Sequence, residues 1–225
     1  MSRLIAEDPW DEIGSIFVNR AVTAEGGQVA ESEHNYFAQK VPDSAGVDDP
    51  GETTFGLATD LLMKPGRSET FDYDSRFRNY DGYVIQNWDN SGHTYSELSY
   101  DPVGDEEIDY DLTAGFTVGT GGAGGSVGIS IDGGKIRHDD RTTQYSLDSK
   151  VHHNWDFPGI YECDKARCSE VVLGNVGKID ADEPSDDSID YCPTETKSVY
   201  RDPDLNKADA YRYFNPSLYY LENYY

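Results

Sequence analysis

The sequence predicts an all-β fold: an antiparallel sandwich or jelly-roll-like barrel, with short helical or irregular arms at the N- and C-termini. Three observations predict it. Short runs rich in β-branched and aromatic residues follow one another through the middle of the chain, punctuated by Asn, Asp and Gly at a spacing of about 8–12 residues. Residues 145–157 alternate apolar and polar without a break, as a half-buried strand must. A glycine run, Gly119 to Gly125, separates two alternating flanks and predicts a hairpin tip. With 36% hydrophobic residues, among them 17 Tyr, 8 Phe and 3 Trp, the chain has material for a core. Its 225 residues allow one domain, or one with a small appendage.

The elements follow in chain order. Asp8 is placed to cap a helix with Pro9 at its first position, and Trp10, Ile13, Phe17 and Ala21 recur at helical spacing, which predicts a short helix to about Ala21. Residues 15–18, Ser-Ile-Phe-Val, read equally as the start of a strand. Residues 42–54 are turn-formers and acids throughout, so residues 1–54 are expected to be an N-terminal arm and acidic linker. A β body over 55–160 follows, with strands expected at Glu69–Tyr73, Tyr83–Trp88, Thr94–Tyr100 and Ile108–Val118. Turns are expected at Asn79–Gly82, Asp89–Gly92 and Asp101–Gly104. Phe116 and Val118 share one strand face, and Val127, Ile129 and Ile131 one face of the return strand. Tyr145, Leu147, Ser149, Val151, His153, Trp155 and Phe157 then form one face of a thirteen-residue strand ended by Pro158-Gly159. From Tyr161 regularity fades into a cysteine-bearing acidic loop region and a tyrosine-rich tail, residues 161–225, with a turn at Arg201–Asp204.

Charge bounds the setting. Asp and Glu number 43 against 18 Lys and Arg, a net −25, with Arg outnumbering Lys. Self-repulsion of that size opposes compaction in dilute buffer, but the Debye length falls to ~3 Å at 1 M salt. The composition resembles that of proteins of extremely halophilic archaea or their viruses, which implies a high-salt environment. Direct binding to nucleic acid is not expected, because phosphate needs Lys and Arg to neutralise it. No stretch approaches the ~20 apolar residues of a membrane helix, and no apolar segment follows the basic residue near the N-terminus. A saline exterior reached without an export signal leads to the expectation of a virion or extracellular protein. Cys163, Cys168 and Cys192 are disulfide candidates, one bridge and a spare; three buried free thiols are the alternative.

Several constellations could carry chemistry. Asp180, Asp182 and Asp186 crowd one acidic segment and could hold a structural Ca or Mg ion, although Pro184 interrupts it and no closing Glu has the calcium-loop spacing. No other cofactor is expected. Adjacent His152 and His153 point to opposite faces of a strand and cannot share one metal, which leaves His153 to the aromatic face. No nucleophile elbow, zinc-protease helix or phosphate loop is present, so no catalytic residue is assigned and an enzyme is not expected. A hydrolase working through paired carboxylates stays as an alternative that sequence cannot locate among 43 acids. Tyr211, Tyr213, Phe214, Tyr219, Tyr220, Tyr224 and Tyr225 each carry a large area to bury, on the body or on a neighbour.

Residues 115–155, GFTVGTGGAGGSVGISIDGGKIRHDDRTTQYSLDSKVHHNW, resemble the stem hairpin and following strand of secreted β-barrel pore-forming toxins. The resemblance implies monomers that become rings on membranes. Against it, a membrane strand needs about 9–11 alternating positions, and 116–118 and 127–131 fall short; membrane insertion is not expected on that ground. The sequence therefore leads to a non-enzymatic structural or interaction protein, a capsid, spike or tail component that assembles with other subunits through aromatic β surfaces. The hydrolase and the pore-former are its alternatives.

Overall fold

Alternation decides the architecture: where every second residue is apolar, a strand buries one face, and two such sheets close on each other. The computed structural model describes residues 11–24, 26–40, 52–66, 76–88, 95–101, 103–104, 106–109, 114–118, 125–129, 135–145, 148–159, 165–182 and 192–214. Its strands are β1 (Asp11–Ala24), β2 (Gly27–Lys40), β3 (Glu52–Pro65), β4 (Arg78–Asn87), β5 (Tyr95–Asp101), β6 (Glu106–Asp109), β7 (Ala114–Val118), β8 (Gly125–Ile129), β9 (Lys135–Asp140), β10 (Thr143–Tyr145) and β11 (Asp148–Asp156). A four-residue helix, α1 (Lys165–Cys168), precedes β12 (Val171–Asp182), β13 (Thr194–Arg201) and β14 (Lys207–Phe214). Sheet A runs β1-β2-β3-β12-β5; sheet B runs β14-β13-β4-β11-β9-β6, with β10 on β11; β7 and β8 form a two-stranded ladder of their own. The protein is all-β, with its two main sheets antiparallel throughout and stacked as a sandwich.

The core lies between sheets A and B. Leu61, Met63 and Leu173 of sheet A meet Val84, Trp155 and Tyr200 of sheet B, and Leu57 and Tyr36 meet Trp88, Val151 and Phe214. Trp88 and Trp155 are fully buried, each removing ~200 Å² from water and contributing about 5 kcal/mol as an upper figure. Part of the interface is polar. Ser32 Oγ hydrogen-bonds Ser198 Oγ and, at 2.9 Å, Tyr200 Oη, which donates to the Glu31 carbonyl at 2.6 Å. His34 Nδ1 lies 2.6 Å from Thr196 Oγ1, and Gln86 Nε2 lies 2.9 Å from the Leu57 carbonyl and 3.1 Å from Asn175 Oδ1. Pairing of this kind is what makes polar groups tolerable in a dry interior.

Four local expectations are corrected. The N-terminal segment is a strand, not a helix: β1 pairs with β2 along its length, burying Ile16 and Val22 inward. Its β-branched residues fit a pleated ladder better than a helix that would leave one face unpartnered. Asn79–Gly82 is not a turn but the first half of β4. Asn79 Nδ2 donates to the Ala166 and Ser169 carbonyls, both at 2.9 Å, and a register shift at Val199/Tyr200 of β13 absorbs the irregularity. The thirteen-residue strand is divided, β10 folding back on β11. Beyond Tyr161 the chain supplies β12, inside sheet A, and β13, inside sheet B; Asn175, Gly177, Thr194, Thr196 and Ser198 at buried positions hide their alternation from a hydrophobicity reading. The expected strand at 69–73 and turn at 89–92 lie outside the described residues.

Candidate functional site

The β7–β8 hairpin is the one described strand pair that belongs to neither main sheet. Its ladder sets Ala114 opposite Ile129, Phe116 opposite Val127 and Val118 opposite Gly125, with Gly115 opposite Gly128 and Thr117 opposite Ser126 between them. Apolar positions therefore oppose apolar positions, and Thr, Ser and Gly oppose one another. Alternation puts the two sets on opposite faces.

The hairpin has its root in sheet B. β6 and β9, immediately before and after it in the chain, pair with Ile108 opposite Ile136 and Glu106 opposite His138. Continued from there, the ladder would set Phe116 opposite Gly128, yet its partner is Val127. Root and hairpin are thus one residue out of register, and a one-residue slip exchanges the faces of a strand. The root register, carried outward, would pair apolar with polar positions; the hairpin's own register does not.

The hairpin rests on sheet A. β8 packs against β12 and reaches β3 without a shared ladder. Since β12 has strands along both edges and sheet B on its inner face, the outer face is left for β8. Gly174 and Val176, outward by alternation, are buried there, Val176 to 4% exposure. On the same face Asp60 stands between Asn35 and Gly174. Burial first, then the charge of Glu33, pushes its carboxyl up to about 7, and its Oδ1 has no hydrogen-bond partner.

A second constellation sits where the root enters the sandwich. His138 of β9 and His153 and Trp155 of β11 stack with ring centroids 5.0–5.8 Å apart, and His138 Nε2 lies 2.8 Å from His153 Nδ1. Tyr100 of β5 closes the cluster from sheet A, its ring 5.9 Å from that of His153. Its hydroxyl donates to Asp140 Oδ2 at 3.1 Å, and the same oxygen accepts the Gly104 N–H at 2.8 Å. Burial works against that carboxylate, but the N–H groups of Gly104 and Thr142 more than offset it and hold Asp140 below the usual range. His153 faces inward and His152 outward, as the alternation requires. The partnership with His138 was not legible, because it depends on β9 lying beside β11 in a particular register.

Other candidates are dispersed. Asp180 and Asp182 lie on β12, not in a loop, opposite Thr54 and Glu52 of β3, two residues apart and so on one face of the strand. Asp186 lies outside the described residues, and no group of three metal-ligating side chains occurs among the described ones. Cys168 is disulfide-bonded, Cys163 lies outside the described residues, and Cys192 is a free, buried thiol whose pKa burial raises. Tyr211 and Tyr213 are about half exposed on β14, the edge of sheet B, at 49% and 51%. Phe214 turns inward against Tyr36, ring centroids 4.9 Å apart. Tyr219, Tyr220, Tyr224 and Tyr225 lie outside the described residues.

No family model matches the chain, and no curated protein sequence matches it. Among solved structures it is similar to the Clostridium perfringens delta-toxin, at 11% identity and a TM-score of 0.48, over 96% of this chain and 97% of that one. It is also similar to a structure described as a pore forming protein, at 9% identity and a TM-score of 0.40, over 93% of this chain and 97% of that one.

Proposed function

We propose that the chain is a non-enzymatic β-pore-forming protein, in which copies assemble and the β7–β8 hairpin leaves β12 to contribute two strands to a membrane-spanning barrel. The register of that hairpin carries the reading: Ala114, Phe116 and Val118 opposite Ile129, Val127 and Gly125 give one apolar face, and Gly, Thr and Ser give the other. Extended in the same register, the sequence adds Leu112 opposite Ile131 and Tyr110 opposite Gly133 to the apolar face, and Thr113 opposite Ser130 and Asp111 opposite Asp132 to the polar one. Each strand then spans nine residues, 110–118 and 125–133, which meets the ~9–11 of a tilted membrane strand. Counted from the isolated apolar runs the strands are too short; counted with the sequence alternation that flanks the five-pair ladder they are long enough.

Assembly in brine belongs to the same proposal. Copies each carrying −25 repel one another unless salt screens them, so an extracellular, high-salt setting suits the composition. The exposed Tyr211 and Tyr213 on edge strand β14 are offered as contacts between copies.

The test is dye release from lipid vesicles in ~3 M salt, where screening is strong. The intact chain releases the dye. A variant with residues 111–132 replaced by a short Gly/Ser turn keeps its sheet content by circular dichroism and releases none. Vesicles that stay closed with the intact chain, or leak equally with the shortened one, overturn the proposal.

A further inference from the structure

We propose that the His138–His153 pair is an acid-sensitive latch that holds the root of the hairpin in the sandwich, an inference about regulation that rests on the pore-forming reading. β9 is the strand by which the hairpin returns to sheet B, and it is short. It is laddered to four residues of β11 on one side and to four-residue β6 on the other. Ile136 and His138 are its buried residues among those whose side chains are described. His138 is thus half of the anchor, and it stacks on the His153 and Trp155 rings.

The pair at 2.8 Å needs one nitrogen with a proton and one without. A first added proton buries a cation beside Trp155. The Nε2 of His153 has no hydrogen-bond partner, so a proton there finds no acceptor. A second places N–H against N–H and removes the bond.

Among the described neighbours Asp140 attracts a protonated His153, but burial and the charge of His138 outweigh it. On β9, Asp140 already accepts from Gly104, Thr142 and Tyr100, and Asp139 lies on the outer face with Arg141 at 2.6 Å. On β11, His152 adds like charge from the far face. From β5 comes the Tyr100 hydroxyl, from β4 the apolar Val84, and from β6 Glu106 stands opposite His138 in the ladder.

The sign follows from the burial. Desolvation first, then the charge of His138, holds His153 at about 3, below the ordinary value of 6.5. A histidine freed by opening regains the ordinary value, so docking of the root is complete above about pH 6.5. Opening then gains up to tenfold per pH unit as pH falls below that. The depressed Asp140 carboxyl acts in the same direction, its contribution being present above the ordinary Asp range and lost in stronger acid.

Hydrogen–deuterium exchange of the intact chain between pH 7.5 and 5, corrected for intrinsic exchange, tests the latch without vesicles. The expected result is that opening of residues 106–109 and 135–140 rises several-fold to tenfold per pH unit below about 6.5, in the unsubstituted chain and in His34→Gln. In the latter, β3 and β13 lose the acid sensitivity that buried His34 gives them and keep their protection. His153→Phe flattens that dependence, and His34→Gln, at the contact with Thr196 of β13, leaves it in place. Root exchange that ignores pH, or in His34→Gln rises only in step with β3 and β13, overturns the latch. If His153→Phe does not fold, the root-to-body comparison in His34→Gln decides. A chain that opens its root in acid but releases no dye at any pH would contradict the pore-forming reading alone; release with a pH-indifferent root would contradict the latch alone.

Discussion

Gly177 of β12 leaves no room for a side chain against sheet B. A Cβ there would lie 2.5 Å from both Gln86 Oε1 and Trp88 Nε1, groups held by buried hydrogen bonds and a buried ring. At Gly82 the added carbon would meet Leu173 Cδ1 at 2.8 Å, the far end of a side chain that can turn away. Gly177→Ala is therefore expected to cost about 2–3 kcal/mol and lower Tm by about 4–12 °C, and Gly82→Ala about 1 kcal/mol or less. Thermal melts of the two variants check the order, and equal melts would contradict it. Nothing around Gly177 in the sequence marks it, since its neighbours become visible only when β12 and β4 face each other. His153 was different: its alternation with Val151 and Trp155 already placed it inside.

The hairpin is the element on which the proposed function turns, and its alternating flanks could be read directly from the residues beside Gly119–Gly125. Its register could not. A sequence pattern fixes which residues share a face on one strand, whereas the partner across the ladder depends on the turn, and the root and the hairpin differ by one residue. The pairing of Phe116 with Val127 and of Thr117 with Ser126 leads to a paired-substitution test. Phe116→Asp with Val127→Asp puts two charges on the apolar face, at ~1–3 kcal/mol each in the bilayer, and should lower dye release at least tenfold. Thr117→Asp with Ser126→Asp, on the polar face, should release dye within a few-fold of the unsubstituted chain. Identical behaviour of the two pairs in a vesicle assay would show that the faces are not distinguished.

At the scale of the molecule, the all-β class was legible because turns and alternation are local signals, while the partition into sheets A and B was not. β12 and β13 come from a stretch rich in Asp, Gly, Asn and Thr, yet each lies inside its sheet. The proposed function reduces to one claim, that residues 114–118 and 125–129 keep the register they already hold when they enter a lipid bilayer as part of longer strands. The most direct measurement places a single environment-sensitive fluorophore, through an introduced cysteine, at each of those ten positions in turn and records its emission before and after vesicles are added. The account predicts a period of two on vesicles: lipid-like emission at 114, 116, 118, 125, 127 and 129, and water-like emission at 115, 117, 126 and 128. Emission that is unchanged by vesicles, or that changes without alternation, would contradict it.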